Sequence, residues 1–243
     1  IQGAPETMLR WHYRSKHDSL ISVSNHEFYE NKLMVFPSPG VNRDATGLRF
    51  NYMQDAPYDR GGSRTNQIEA RAVAEAVIEH ARQSPTLSLG VVAFSVSQRD
   101  CILLEIERLR RLHPEIEYFF GQGNQENFFV KNLENVQGDE RDVIFISIGY
   151  GKTATGKVSR SFGPVNSEGG HRRLNVLITR SRLAMEVFCN FRADELMTTS
   201  TSPFGVKALK NFLHYAETKE QISRMETGLD TDSPFEDEVI SVI

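Results

Sequence analysis

Cysteine, tryptophan and long apolar runs are scarce in this chain. Its 243 residues hold two cysteines and one tryptophan. Two thiols cannot build a disulfide framework or a cysteine-rich zinc site. Cys101 and Cys189 fall in a predicted helix and a predicted strand and read as buried thiols. No apolar run approaches the roughly 20 residues a membrane-spanning helix needs, and no secretory signal stands out. A cytoplasmic compartment and no membrane partner are therefore expected. His12, His17 and His26 share no ligand spacing, so no metal site is expected. A strong overall charge is missing too: a net charge of −4 excludes a protein-wide basic field. The charge is uneven, however. Residues 151–182 carry seven Lys or Arg against one acid, and residues 217–243 carry eight acids against two bases. A local basic stretch can bind phosphate even in an acidic chain.

What is present alternates between two periodicities. Leu48 to Met53 alternates as a strand does, and Arg60 to Asn66 is a Gly-rich polar loop. Asn66 to Arg82 is the clearest helix, with Ile68, Ala72, Val73, Ala76, Val77 and His80 on one stripe. A helix from Asp18 to Tyr29 is expected to turn Leu20, Ile21, Val23, Ser24 and Phe28 to the core. Ser88 to Phe94 reads as a buried strand and Gln98 to Leu112 as a second amphipathic helix. Ile116 to Phe120 reads as a strand, Phe128 to Val136 as an extended segment, and Val143 to Ile148 as a core strand. Alternating strands and helices predict a parallel α/β sheet with helices on both faces. Such sheets bind ligands beyond the carboxyl ends of their strands, which is where chemistry is expected.

Arg172 to Asn190 organises the rest. A helix carrying Leu174, Leu177 and Ile178 on one face and Arg173, Val176 and Arg180 on another leads into an apolar strand, Met185 to Cys189. Guanidinium groups displayed in this way suit phosphate, because each is permanently charged and offers a planar fork of donors. Gly149-Tyr-Gly-Lys-Thr153 imitates the end of a P-loop, but the full pattern needs a Gly where Ile146 stands, and no apolar helix follows. No apolar strand ends in adjacent acids that would hold magnesium.

Three segments resemble the second RecA-like domain of superfamily 1 helicases, in the branch of the nonsense-mediated-decay helicase and its bacterial relatives. His12-Tyr13-Arg14-Ser15-Lys16-His17 is similar to Q-Y-R-M-H-P, with His12 in place of Gln and His17-Asp18 in place of His-Pro. Asn135-Val136-Gln137-Gly138-Asp139-Glu140-Arg141-Asp142 is similar to F-Q-G-x-E-x-D followed by a strand. Arg172-Arg173-Leu174-Asn175-Val176 to Thr179-Arg180-Ser181-Arg182 is similar to R-R-L-N-V-A-x-T-R-A-R. The resemblance spans about residues 8–215.

It implies a RecA-like sheet over residues 1–220 and ATP bound between two such domains. Arg180 and Arg14 would act as catalytic fingers on the γ-phosphate. Glu140 would accept from the ribose hydroxyls, with Gln137, Gly138 and Arg173 in the same nucleotide-facing set. Phe94, Ser95 and Gln98 would face nucleic acid, although the family's Thr-Pro-Tyr is Ala93-Phe94-Ser95 here. Arg182 reads as a structural ion-pair partner. The P-loop and the acids for Mg2+ belong to the family's first domain, which this chain lacks. The chain does not begin with Met and its end breaks off in an apolar run, so a piece of a larger protein is expected. Residues 221–243 read as an acidic linker and the start of a restriction-endonuclease-like domain, which tilts the nucleic-acid partner toward DNA over RNA. The alternative is a non-catalytic nucleic-acid- or partner-binding module with the same fold.

Overall fold

Alternate side chains of the run Val143 to Ile148 cannot share one core, because a strand turns successive residues to opposite faces. In the computed structural model, which describes residues 11–35, 46–121 and 126–220, they do not. Ile144 and Ile146 enter one buried cluster, while Val143 and Phe145 enter another. A strand buried on both faces is what a continuous apolar run encodes.

The elements follow in order. β1 (Trp11–His12) pairs in parallel with β2 (Met34–Val35), and α1 (Ser19–Phe28) lies between them. Then come β3 (Gly47–Tyr52), α2 (Gln67–Gln83), β4 (Leu89–Ala93), α3 (Val96–Leu112), α4 (Glu117–Phe120) and β5 (Phe129–Asn132). β6 (Arg141–Ser147), α5 (Gly170–Ile178), β7 (Ser181–Cys189) and α6 (Phe204–Thr218) complete the described chain. The main sheet has the order β3-β7-β6-β4-β5, and every pairing is parallel. α2 and α3 cover one face through Val73, Val77, Ile102 and Ile106; α1, α5 and α6 cover the other through Leu20, Leu174, Leu177 and Leu209. This is the α/β architecture with helices on both faces. No helix among the described residues is long and apolar enough to cross a membrane.

Four local expectations need correction. Ile116 to Phe120 is not a strand. Pro114 opens a 3-10 turn (Pro114–Ile116) that runs into α4, and Ile116 and Phe119 are buried at helical spacing. Proline at the start of a turn, with its missing N–H harmless there, outweighs the β propensity of the aromatic pair. The stripe of α2 is rotated: Val73 and Val77 are buried as expected, but the rest is Ala70, Ala74, Ile78 and Ala81, and Ile68 is exposed. Small alanines let α2 approach the sheet closely, a packing choice that periodicity alone does not reveal. The segment from Phe128 yields only a short strand before a 3-10 turn (Leu133–Asn135). β7 begins four residues before Met185, since Ser181 already pairs with Arg141.

Gly90 of β4 pairs with Phe129 of β5, and a Cβ there would stand 2.4 Å from the ring. Gly90→Ala is expected to cost about 1–3 kcal/mol through overpacking and to lower the thermal midpoint by several degrees. An unchanged melting curve would show that the ring swings clear at no cost.

Candidate functional site

The residues expected to meet a nucleotide do gather, but at the amino ends of β6 and β7 rather than beyond the carboxyl ends. Arg14 follows β1, Glu140 immediately precedes β6, and Arg180 immediately precedes β7. The turn bearing Arg14 is fastened to β7: the Ser15 hydroxyl donates to the Ser181 carbonyl (3.1 Å) and the Lys16 amide to the Arg182 carbonyl (2.7 Å). His12 shapes the same turn by accepting the Ser15 amide at Nε2 (3.0 Å). Its ring is held neutral, with its pKa lowered to about 4 by burial and then by the nearby Arg14 and Arg180 charges. His12 Nε2 thus acts as the acceptor for a backbone amide of the turn.

Arg14 Nε donates to Glu140 Oε2 at 2.5 Å. The other Glu140 oxygen faces Arg182 at 3.5 Å. Arg182 is itself held by Asp142 (Nε to Oδ1, 3.0 Å) and by Glu126, as its reading as an ion-pair partner anticipated. Those acids raise its proton affinity further. Arg180 lies past the end of α5, not on its open face. Its Nε donates back to the Val176 carbonyl (2.7 Å), and its other nitrogens reach Thr179 Oγ1 (3.0 Å) and the Asp139 carbonyl (3.4 Å). It shares the Val176 carbonyl at the helix end with the Thr179 hydroxyl (2.9 Å) and amide (3.4 Å). Burial, then the Arg14 charge, lowers its proton affinity. Two guanidiniums sharing a neighbourhood with one interposed carboxylate make a site that gains from an added anion.

The other expected residues disperse. Gln137 and Gly138 are exposed in the turn before Glu140, and Gly138 adopts φ +89° with open space around it. Arg173 turns instead to the Pro164 carbonyl (3.5 Å). At the carboxyl edge, Phe94 and Gln98 do not present their side chains to a ligand: they are 1% and 0% exposed. Phe94 belongs to the core. The Gln98 amide is occupied, accepting from the Asn66 amide (2.8 Å) and donating to the Asn66 carbonyl (3.1 Å) and Ser147 Oγ (3.2 Å). Burial requires such saturation, and a polar residue at a helix start gives no sign of it in sequence. Ser95 alone of the three remains accessible; it caps α3 and lines a cavity of about 400 Å3.

Two features escaped sequence reasoning. Tyr13, next to Arg14, is 86% exposed. Glu69 is fully buried and accepts from Ser147 Oγ (2.6 Å), the Gly149 amide (2.8 Å) and Asn66 Nδ2 (3.3 Å). Burial pushes its carboxyl up to about 8, against the pull of those hydrogen bonds. The signal was an Asn cap with an acid three residues on, a capping-box spacing. The P-loop look-alike is a hairpin: Lys152 bridges to Val158, and its ammonium meets Glu195 (2.6 Å) and the Tyr52 hydroxyl (3.1 Å).

A parallel α/β domain with an arginine–glutamate cluster at one sheet edge and a hydroxyl-lined cavity at the other defines the class. Residues 2–192 match the family described as an AAA domain, and the chain belongs to that family. It is 34% identical over 214 residues to an uncharacterized ATP-dependent helicase of Mycoplasma genitalium, covering 87% of this chain and 18% of that protein. The homologous helicase of Mycoplasma pneumoniae is also 34% identical, over 215 residues, with the same shares covered. The chain thus spans under a fifth of the length of these relatives. The crystal structure of the E. coli DExH-box NTPase HrpB aligns at 11% identity with a TM-score of 0.33, covering 78% of this chain and 28% of that one.

The folded His12 ring resists protonation until about pH 4, whereas an unfolded histidine takes its proton near 6.5. Its contribution to stability is therefore complete above 6.5 and is lost as pH falls toward 4. His12→Gln, which can still accept the Ser15 amide, is expected to lose less stability between pH 7 and 4 than the wild type. Equal pH slopes in thermal melts would exclude His12 as a source of that loss.

Proposed function

We propose that this chain is the second RecA-like motor domain, residues 1–220, of a superfamily 1 ATP-dependent helicase or translocase in the nonsense-mediated-decay-helicase branch. The observation that carries the reading is the Arg14–Glu140–Arg180 cluster at the amino ends of β6 and β7. An edge of half-buried guanidiniums can complete a phosphate site whose other half lies elsewhere. That half, with the P-loop and the acids for Mg2+, would come from a first RecA-like domain of the same longer polypeptide. The donor set fits a nucleoside triphosphate: two arginines for the γ-phosphate oxygens and a carboxylate for ribose hydroxyls. Mg2+ would neutralise phosphate charge.

Each residue then has a defined task. Arg180 is preset by its bond to Val176, so a donor fork is in place before charge develops on the phosphate. Glu140 also fixes Arg14 through their ion pair. Exposed Gln137 and Gly138 shape the turn that leads into Glu140, and they and Arg173 remain in the nucleotide-facing set by resemblance alone. Single-stranded or duplex nucleic acid would cross the carboxyl edge near Ser95, while Phe94 and Gln98 support that edge from beneath. DNA is favoured weakly over RNA on the reading of residues 221–243, which lie outside the described residues. The relatives' ATP-dependent helicase description supports the same assignment.

In the full-length protein, Arg180→Ala is expected to lower kcat about a thousandfold with little change in stability, since the Val176 carbonyl keeps the Thr179 hydroxyl and amide as donors. Arg180→Lys restores charge without the fork and is expected to rescue poorly. The 243-residue chain alone is expected to show negligible ATPase activity, and Lys152→Ala in the full-length protein should keep turnover. Near-wild-type kcat in Arg180→Ala, or robust nucleic-acid-stimulated hydrolysis by the chain alone, would sink the reading.

A further inference from the structure

The loop between β3 and α2 reads in the sequence only as a polar, Gly-rich connection. In the structure it is built around one carboxylate. Asp59 accepts from the Gly62 amide (3.0 Å), the Ser63 amide (2.7 Å) and the Ser63 hydroxyl (3.0 Å). The Asp59 amide donates to the Thr65 carbonyl, and the Arg64 amide to the Asp59 carbonyl, each at 2.9 Å. Arg64 sits at φ +57°, a region a non-glycine residue occupies only when the surroundings hold it there. The loop is anchored at its start, where buried Tyr58 packs edge-on against Tyr150 with ring centroids 5.5 Å apart.

This scaffold displays two cations. Arg60 and Arg64 are exposed, and among the described residues neither has an ion-pair partner. Both line the cavity of about 400 Å3 that also holds Ser95, Ser97, Tyr150 and Ser161. Asp59 is engaged with the loop amides, and neither it nor Asp55, the loop's other acid, forms an ion pair with Arg60 or Arg64. A rigid loop with two uncompensated guanidiniums over a hydroxyl-lined hollow at a helix start complements a phosphate-bearing chain. The hollow lies past the carboxyl end of β4, at the opposite edge of the sheet from Arg14 and Arg180.

We propose that Arg60 and Arg64 form a phosphodiester clamp that holds a single strand of nucleic acid over the carboxyl edge of the sheet. The clamp deepens the motor-domain reading and rests on it. It assigns strand contact to a loop outside all three helicase-like segments.

The test is fluorescence anisotropy of the wild-type chain with labelled single-stranded DNA and RNA oligonucleotides across a salt series. An Arg60→Ala/Arg64→Ala double variant is expected to bind at least about tenfold more weakly. The slope of log K against log salt should shrink by about 0.7 per lost contact. Melting should be unchanged, since exposed side chains without an ion-pair partner contribute little to stability. Arg60→Lys/Arg64→Lys should keep most of the salt slope, and Arg111→Ala, about 22 Å along α3 from its start, should bind as wild type. Wild-type affinity and slope in the double alanine variant overturn the clamp and leave the motor-domain reading standing. Failure of the wild-type chain to bind either oligonucleotide overturns both. Displacement of the oligonucleotide from Arg60 and Arg64 by equimolar ATP would identify a free-nucleotide site instead and equally overturn the clamp.

Discussion

Parallel pairing of β6 with β7 sets the geometry of both edges of this domain. Because the two strands run side by side in the same direction, the residues just before them, Glu140 and Arg180, must be neighbours. The residues just after them meet as well: the Asn190 side chain accepts the Lys152 amide (2.9 Å) and donates to its carbonyl (2.9 Å). One hydrogen-bond ladder therefore positions an arginine–glutamate cluster at one end and a loop platform at the other. The apolar alternation of β6 secures that ladder between two cores.

Charge balance at the amino edge is tight. The Arg14 charge lowers the proton affinity of Arg180, both charges lower that of His12, and Glu140 is the acid set between Arg14 and Arg182. Arg182 is surrounded by acids and is stabilised in place, whereas Arg180 is held mainly by neutral carbonyls and a hydroxyl. Neutral acceptors position a guanidinium without cancelling its charge, so Arg180 keeps its field for an incoming anion while Arg182 does not. On the proposed reading, that difference separates an anion-binding arginine from a supporting one in the same short segment.

The carboxyl edge is stiffened from below. Glu69, Gln98, Asn66 and Ser147 form one buried hydrogen-bonded group joining the starts of α2 and α3 to the end of β6. A saturated buried network is rigid because breaking any member strands its partners. It supports the Gly149 turn, the α3 start with Ser95, and the Asp59-centred loop that carries Arg60 and Arg64.

Much of this was legible in the residues themselves. The apolar runs at Ser88 and Val143, the alternation at Leu48, and the periodicity through Asn66 to Arg82 determined strands, helices and a parallel sheet, because burial dictates those patterns. Arg14, Glu140 and Arg180, in recognisable segments, were expected as a nucleotide-facing set, and the structure brings them together. Tertiary structure decided what local patterns do not encode. It placed that set at the amino edge, since chain direction in a sheet depends on distant pairings. It buried Gln98 and Phe94, made Ile116 to Phe120 helical through the Pro114 turn, and curled Arg180 back onto a helix end. It also turned an unremarkable polar loop into a fixed display of two arginines. In each case the reason is the same: who fills a hydrogen bond or covers a face is settled by neighbours remote in sequence.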